Sequence, residues 1–277
     1  MSVSAALRDF IDRYPSLFVL TGAGVSTASG IPDYRDADGA WKRPPPVTYQ
    51  AFMGDAAMRQ RYWARSLVGW RTFGRARPNA AHRALAALER RGRVERLVTQ
   101  NVDRLHQRAG SARVVDLHGR LDLVRCTACG QCRTRAGFQH LLLQRNPRWA
   151  ALDAGAAPDG DADLERADFP SFDVPACPAC GGVLKPDVVF FGESVPRERV
   201  DAAMAALRAA DAMLVVGSSL MVWSGFRFAQ TAARAGKPIA AVNIGRTRAD
   251  DLLQLKIAAP AAGALSFLLE DDTTIGA

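Results

Sequence analysis

Lysine is scarce in this chain of 277 residues: it occurs four times, against 32 arginines. Aromatic residues make up only 8%, and all five cysteines fall between positions 126 and 180. No apolar run approaches the roughly 20 residues of a membrane span. The opening stretch, MSVSAALRDFIDRY, mixes acids with bases and lacks the apolar centre of a leader peptide. These absences argue against a membrane-spanning protein and against a secreted disulfide scaffold, and they lead us to expect a cytoplasmic one. Internal repeats are also missing, which excludes a solenoid.

What is present suits a packed fold. An apolar fraction of 48% is too high for a disordered chain, and the length allows one large domain carrying a small inserted one. The net charge of +8 comes from arginines dispersed along the chain. Five of them lie between positions 83 and 96, on a helical stretch that we read as a solvated face. We therefore expect no nucleic-acid partner, no membrane association and a monomer.

Six short apolar runs end in glycine or polar residues. Residues 17–20 precede Thr21-Gly22-Ala23-Gly24, 94–98 precede Thr99-Gln100-Asn101, and 114–117 precede His118-Gly119. Residues 188–191 precede Gly192-Glu193, 213–216 precede Gly217-Ser218-Ser219, and 239–242 precede Asn243-Ile244-Gly245. Helical spacing separates them, as over 80–91, closed by Gly92. The alternation predicts an α/β fold, a Rossmann-like doubly wound parallel sheet covered on both faces. Ligands of such sheets sit beyond the carboxyl ends of the strands. All the polar clusters fall there, so they are expected to share one crevice.

Two segments break the alternation. Residues 36–76 are rich in Pro, Trp and Tyr, with a helix expected over 59–70, and residues 121–183 hold every cysteine. Within the latter, 152–173 is rich in Ala, Asp, Gly and Pro and reads as a mobile surface loop. Its run Asp159-Gly160-Asp161-Ala162-Asp163 has the alternating acids of a calcium loop but lacks the downstream glutamate, so it reads as solvated.

Cys126-Thr127-Ala128-Cys129-Gly130 and Cys177-Pro178-Ala179-Cys180-Gly181 are two C-x-x-C-G knuckles. The two-residue gap lets both sulfurs of a knuckle meet one ion, and the glycine permits the tight turn beneath them. Four thiolates from Cys126, Cys129, Cys177 and Cys180 imply one tetrahedral zinc, closed to water and therefore structural. Such a site contributes on the order of 10–16 kcal/mol to folding. Cys132 has no following glycine and is read as a spare thiol.

Thr21-Gly22-Ala23-Gly24-Val25-Ser26 follows a strand and is expected to open a helix, a setting in which backbone can approach phosphate. It departs from the dehydrogenase fingerprint, because Thr27 stands where that pattern needs glycine. Further on come Ser29-Gly30-Ile31-Pro32-Asp33-Tyr34-Arg35, then Thr99-Gln100-Asn101-Val102-Asp103-Arg104-Leu105-His106, then Leu117-His118-Gly119. With the cysteine pairs, KPDVVFFGE, GSSL and VNIG, these motifs follow the order of the sirtuin family of NAD-dependent protein deacylases. The chain resembles that family over most of its length. Residues 59–70, RQRYWARSLVGW, resemble the class II branch, which includes a mitochondrial sirtuin of animals.

The resemblance implies that NAD is a consumed co-substrate. Its nicotinamide–ribose bond breaks with oxocarbenium character while the acyl oxygen of a modified lysine attacks the anomeric carbon, yielding nicotinamide and O-acyl-ADP-ribose. That chemistry calls for a carboxamide pocket, a base near the ribose and exclusion of water. By resemblance, Asn101 and Asp103 orient nicotinamide and ribose, and His118 is the general base that activates a ribose hydroxyl. Gly22, Ala23, Gly24, Ser26, Asp33, Tyr34 and Arg35 match the cofactor loop, with Arg35 pairing with phosphate or positioning ribose. Gln100 and Val102 join the ribose end. Gly217, Ser218 and Ser219 match the phosphate and adenosine-ribose contacts, and Asn243, Ile244 and Gly245 the adenosine end.

An acyl-lysine protein or peptide is the implied partner, held as an added strand between Phe191-Gly192-Glu193 and Met221-Val222-Trp223. Tyr62 and Arg65, three apart on one helix face, match the pair with which desuccinylating sirtuins hold an acidic acyl chain. This leaves two expectations, a carboxylated or branched acyl group and simple helix packing. His82 and His106 are read as structural or helix-surface residues, and His140 has no assigned role. Mono-ADP-ribosyl transfer through the same pocket, and a non-catalytic NAD-sensing module, stay open as alternatives. The reading divides the chain into a Rossmann-like NAD-binding domain (1–35, 77–120 and 184–277) and a small domain (36–76 and 121–183) combining a helical segment with the zinc module.

Overall fold

A computed structural model describes residues 3–152, 154–155, 157–164 and 168–270. Nine strands run through them: β1 (Leu17–Thr21), β2 (Val94–Thr99), β3 (Val114–Asp116), β4 (Gly119–Cys126), β5 (Cys132–Thr134), β6 (Leu184–Val188), β7 (Ala212–Val216), β8 (Ile239–Val242) and β9 (Leu255–Ile257). The helices are α1 (Val3–Arg13), α2 (Tyr49–Gly54), α3 (Ala56–Phe73), α4 (Ala80–Arg90), α5 (Leu105–Arg108), α6 (Arg135–Arg145), α7 (Arg197–Ala209), α8 (Trp223–Arg234), α9 (Ala261–Ala264) and α10 (Phe267–Glu270).

Six strands form one parallel sheet in the order β3-β2-β1-β7-β8-β9. Side chains of a strand alternate between its faces, so a strand covered on both sides must be apolar throughout. β1 obeys this: Leu17 and Val19 pack with α1, α4, α9 and α10, while Phe18 and Leu20 pack with α7 and α8. The chain leaves β1 towards β2 and β3 on one side and returns through β7, β8 and β9 on the other. The strand order therefore reverses between β1 and β7, where open α/β sheets bind ligands.

The second layer of organisation is a three-stranded antiparallel sheet, β5-β4-β6, which shares an apolar cluster with α3 and α6. The run 188–191 therefore departs from expectation. Only Val188 lies in a strand, and that strand joins the small sheet rather than the parallel one. The rest of the run forms a wall: Phe190 packs on Phe52 and Tyr62, at ring separations of 5.1 and 5.4 Å, and Phe191 bridges to Thr48. A short apolar run signals burial without saying against what.

Two further expectations are corrected. No α-helix follows β1; two 3-10 turns, Ala23–Val25 and Thr27–Ser29, end at Gly30 in the left-handed region, with Pro32 just beyond. The described part of 152–173 is packed rather than loose. Ala157, Ala162 and Phe172 are buried, and Phe172 meets Trp149 edge-on at 5.2 Å. Asp161, expected to be solvated, pairs with Arg65 of α3 at 3.0 Å. The approach is possible because Gly69 has no side chain, since a Cβ there would lie 2.4 Å from the Asp161 backbone. Arginines of the 83–96 region are also more than a solvated face: Arg91 donates to the Leu268 carbonyl at 2.6 Å and Arg93 to the Ile11 carbonyl. Among the described residues, no helix is long and apolar enough to cross a membrane.

Overpacking a filled contact typically costs about 1–3 kcal/mol. Gly69→Ala should destabilise the protein by about that amount in urea titrations, by driving the Asp161 segment off α3. A midpoint equal to that of the parent protein would show that the segment is not packed there.

Candidate active site and metal centre

Backbone touches backbone where β1 and β7 end. A Cβ on Gly22 would meet the Ser218 side chain at 2.8 Å, one on Gly24 would meet Gly217 at 3.0 Å, and one on Gly217 would meet the Val25 nitrogen at 2.3 Å. Gly217 also has a φ of +61°, and Gly24 donates to its carbonyl at 2.8 Å. Above this junction opens a crevice of about 960 Å³, within the usual range for a ligand site. Its lining includes the segments that follow β1, β2, β3, β6, β7 and β8.

Asn101 stands at the carboxyl end of β2 and donates through Nδ2 to the Gly22 carbonyl and to Ser26 Oγ, both at 3.1 Å. Ser26 donates in turn to Asp103 Oδ2 at 2.7 Å, and Asp103 Oδ1 accepts from the Leu105 amide at 2.8 Å. Burial raises the pKa of Asp103 while these hydrogen bonds oppose the rise. Ser26 and Asp103 do not themselves line the crevice; they brace the wall that Asn101 presents to it.

Behind Ser26 lies His82, with Nε2 at 3.4 Å from its hydroxyl. His82 Nδ1 accepts from the Asn79 amide, so the ring is neutral with its proton on Nε2. The ring of His106 lies 4.8 Å away, with Nε2 bonded to Thr21 Oγ1 at 2.9 Å. Both histidines are buried, so of the two expectations for them the helix-surface one is set aside.

His118 follows β3 and faces the crevice. Its Nδ1 lies 3.0 Å from the Gln100 carbonyl, which can only accept, so Nδ1 carries the proton and Nε2 is the basic nitrogen. Burial pushes its pKa down to about 4, opposed by the Gln100 bond and aided by the charges of Arg199 and Arg227. Gly119 turns the chain immediately after it, at a φ of +86° and against the Asp187 carbonyl, where a Cβ would lie 2.2 Å away.

At the rim, Ala23, Asp33, Tyr34, Arg35, Val102 and Ser219 all line the crevice. Asp33 pairs with Lys42 at 2.5 Å. The Arg35 guanidinium sits over the Trp41 ring at 3.9 Å and donates to the Gly39 carbonyl at 2.7 Å. Asn243 and Ile244 line the far end, with Ile244 65% exposed, and Gly245 there packs on the Ala37 backbone. The segments 191–193 and 221–223 also line the crevice. Glu193 is engaged there, accepting from Lys185 at 3.0 Å and from the Phe190 amide at 2.9 Å.

Tyr62 and Arg65 share a helix face but do not line the crevice. Arg65 is held by Asp161, and Tyr62 is wedged between Phe52 and Phe190, where burial raises its pKa. The structure adds Trp41, Phe190, Ser224 and Arg227 to the lining. Phe190 falls in the run 188–191 and the motif KPDVVFFGE, whereas Trp41, Ser224 and Arg227 carry no spacing signal that would mark them in the sequence.

The four cysteines of the knuckles converge, with all Sγ atoms within 4.8 Å of one another. Cys126 and Cys180 lie 3.5 Å apart and Cys129 and Cys177 3.8 Å apart, close to the roughly 3.8 Å edge of a tetrahedron with Zn–S bonds of about 2.3 Å. The donor set fits one closed structural zinc. Cys132 is not part of the group; it is exposed on β5 and points to the Gly130 carbonyl.

The model of the Sir2 family matches residues 22–224, and the chain belongs to that family. It is 70% identical over 263 residues to an NAD-dependent protein deacetylase of Xanthomonas campestris pv. campestris (strain 8004), covering 95% of this chain and 90% of that one. It is 68% identical to an NAD-dependent protein deacetylase of Bordetella bronchiseptica, covering 94% and 95% of the two chains. Among solved structures, a Sir2 homologue in complex with NAD is similar at a TM-score of 0.73, with 33% identity and 98% and 94% coverage. A Sir2 bound to a p53 peptide and NAD+ is similar at a TM-score of 0.75, with 29% identity and 99% and 100% coverage.

Cys177→Ser should reduce bound zinc well below one ion per chain and lower the thermal midpoint, read by metal analysis and calorimetry. Undiminished zinc would contradict the four-thiolate centre. A second expectation concerns pH. Burial holds His82 and His118 at about 4, and His106 well below its ordinary value, so all three stay neutral in the fold. Ordinary imidazoles of the unfolded chain titrate near ~6.5. The unfolded chain therefore binds more protons as pH falls, and stability that is complete above about pH 6.5 is lost towards about pH 4. Each histidine adds up to about 1.4 kcal/mol per pH unit to that slope. Urea midpoints followed from about pH 7.5 to 5.5, with zinc content monitored, should fall, and His82→Gln should flatten the slope; equal slopes would contradict the assignment.

Proposed function

We propose that the crevice binds NAD with its nicotinamide end between Asn101 and His118, and that the protein is an NAD-dependent protein-lysine deacylase. The observation that carries this reading is a neutral imidazole with a basic Nε2 that lines, together with an amide side chain, one crevice at the sheet's switch point. The cavity is large enough for a dinucleotide. Its wall at Gly22, Ala23, Gly24, Gly217, Ser218 and Ser219 bears no side chain longer than a serine's, so phosphates can come close to backbone. When bound, NAD supplies the electrophilic anomeric carbon that takes the acyl oxygen as nicotinamide leaves.

The chain's own residues do the rest. Asn101, braced by Ser26 and Asp103, orients the carboxamide and ribose. His118 accepts a ribose-hydroxyl proton at Nε2, with the resulting imidazolium held at Nδ1 by the Gln100 carbonyl. Burial of the ring keeps it unprotonated and ready at neutral pH. The loop carrying Tyr34, Arg35 and Trp41 borders the crevice, with Gly39 packed against Met221, and is the segment that would keep water from the reacting atoms. The acyl-lysine backbone pairs with 191–193 and 221–223. An acidic acyl chain would reach Arg65 only by displacing Asp161. Mono-ADP-ribosyl transfer is not favoured by any observation at the site.

Within this reading, residues 1–35, 77–120 and 184–277 supply the NAD-binding domain and 36–76 with 121–183 the small domain; the chain ends lie outside the described residues. β6 belongs to the first group by sequence but pairs with β4 of the small sheet. A cytoplasmic location suits a cluster of four unbridged thiols, which a reducing compartment preserves.

His118→Ala should lower deacylation by about 10²–10⁴-fold while leaving NAD affinity within a few-fold, measured by turnover of an acetyl-lysine peptide and by calorimetric titration. Mass spectrometry should find free lysine peptide and O-acyl-ADP-ribose as products. An ADP-ribosylated peptide in their place, or full turnover by the variant, would overturn the reading.

A further inference from the structure

The basic nitrogen of His118 already has a partner. Ser224 Oγ lies 2.7 Å from Nε2, and because Nδ1 carries the ring proton, the serine hydroxyl must donate. Ser224 is the second residue of α8, buried at 8% exposure, and its hydroxyl has no other partner among the described residues. A serine hydroxyl on a helix can bond the backbone of its own helix. Here it reaches across to the imidazole instead.

The arrangement is held from both sides. A Cβ on Gly225 would lie 2.6 Å from Gln100 Nε2, so the first turn of α8 packs directly on the residue whose carbonyl holds Nδ1. Gln100 is itself fixed, accepting at Oε1 from Ser218 at 2.6 Å. The ring is thus gripped at Nδ1 by Gln100 and at Nε2 by Ser224, and both His118 and Ser224 line the crevice. The charged groups acting on it, Arg199 of α7 and Arg227 of α8, both oppose its protonation and neither can accept from it.

We propose that Ser224 is a positioning residue for the base: with the tautomer of His118 set by the Gln100 carbonyl, the Ser224 hydroxyl holds the ring in place at Nε2 and yields that nitrogen to the substrate hydroxyl when the proton is taken. In the exchange the Ser224 hydroxyl swings off Nε2, the substrate hydroxyl donates there, and its proton ends on Nε2. The role rests on the deacylase reading, but the geometry at Nε2 can be tested apart from it.

Ser224→Ala and Ser224→Thr are compared with the parent protein in three measurements. In the first, labelled nicotinamide exchanges into NAD in the presence of an acetyl-lysine peptide, a reaction that precedes the work of the base. The second is overall deacylation, and the third is the Nε2 resonance of His118 in protein labelled with ¹⁵N-histidine. The alanine variant should keep nicotinamide exchange within twofold while deacylation falls about 3- to 10-fold, the loss of one orienting hydrogen bond. Its Nε2 resonance should move towards that of an unbonded imidazole nitrogen. Threonine, which keeps the hydroxyl, should restore both. The proposal is overturned if alanine leaves deacylation and the resonance unchanged, if exchange and deacylation fall together, or if threonine behaves as alanine. Should the parent protein neither exchange nicotinamide nor deacylate, the deacylase reading fails, and the resonance alone decides whether Ser224 holds the ring.

Discussion

The contact on which the site depends is the one between two stretches of bare backbone, after β1 and after β7. Glycines 22, 24 and 217 let these turns interlock at distances no side chain would permit. The interlock sits where the sheet's winding reverses, so the crevice above it collects the segments leaving five parallel strands. A side chain at any of these positions would push β1 and β7 apart at their ends and carry Gln100 and Ser218 with them. The imidazole of His118, which hangs from the Gln100 carbonyl, would then lose its anchor.

Polar groups beneath this floor are costly to bury and are almost all bonded, as burial demands. Thr21, Thr99 and His106 form one buried chain, and His82, Ser26, Asp103 and Asn101 another. His106 Nδ1 is an exception, a buried ring nitrogen without a hydrogen-bond partner among the described residues. The low local polarity keeps three histidines neutral and lifts the pKa of Asp103. The same condition that makes His118 a free base at neutral pH thus makes the fold sensitive to acid. Zinc answers a different need, tying β4 and the turn before β6 together at the margin of a small sheet.

Much of this was legible in the sequence because strands of a doubly wound sheet announce themselves twice, by an apolar run and by the polar cluster that ends it. The clusters that hold Gly22, Asn101, His118, Gly217 and Asn243 are legible that way as parts of one crevice, their individual roles come only from the resemblance to sirtuins, and the two cysteine knuckles are legible by spacing alone. The exceptions have physical causes. Residues 188–191 are apolar because Phe190 packs on α2 and α3 and Phe191 on Trp41, and composition does not distinguish an aromatic wall from a strand. The segment around Asp161 is polar and small, yet it is packed through Gly69 and Arg65, contacts that appear only once α3 is placed. Tyr62 and Arg65 share a face as expected, but that face meets Asp161 and an aromatic cluster. Ser224 carries no signal, because a single hydroxyl in a helix acquires meaning only from the imidazole opposite.

The central claim is that this crevice orients a dinucleotide with its glycosidic bond beside His118. A crystal structure with NAD and an acyl-lysine peptide measures that directly. The account predicts the diphosphate against Gly22, Ala23, Gly24 and Gly217, and a hydroxyl of the nicotinamide-side ribose within about 3 Å of His118 Nε2. A dinucleotide bound in the reverse direction, or a ribose beyond reach of that nitrogen in a closed complex, would contradict it.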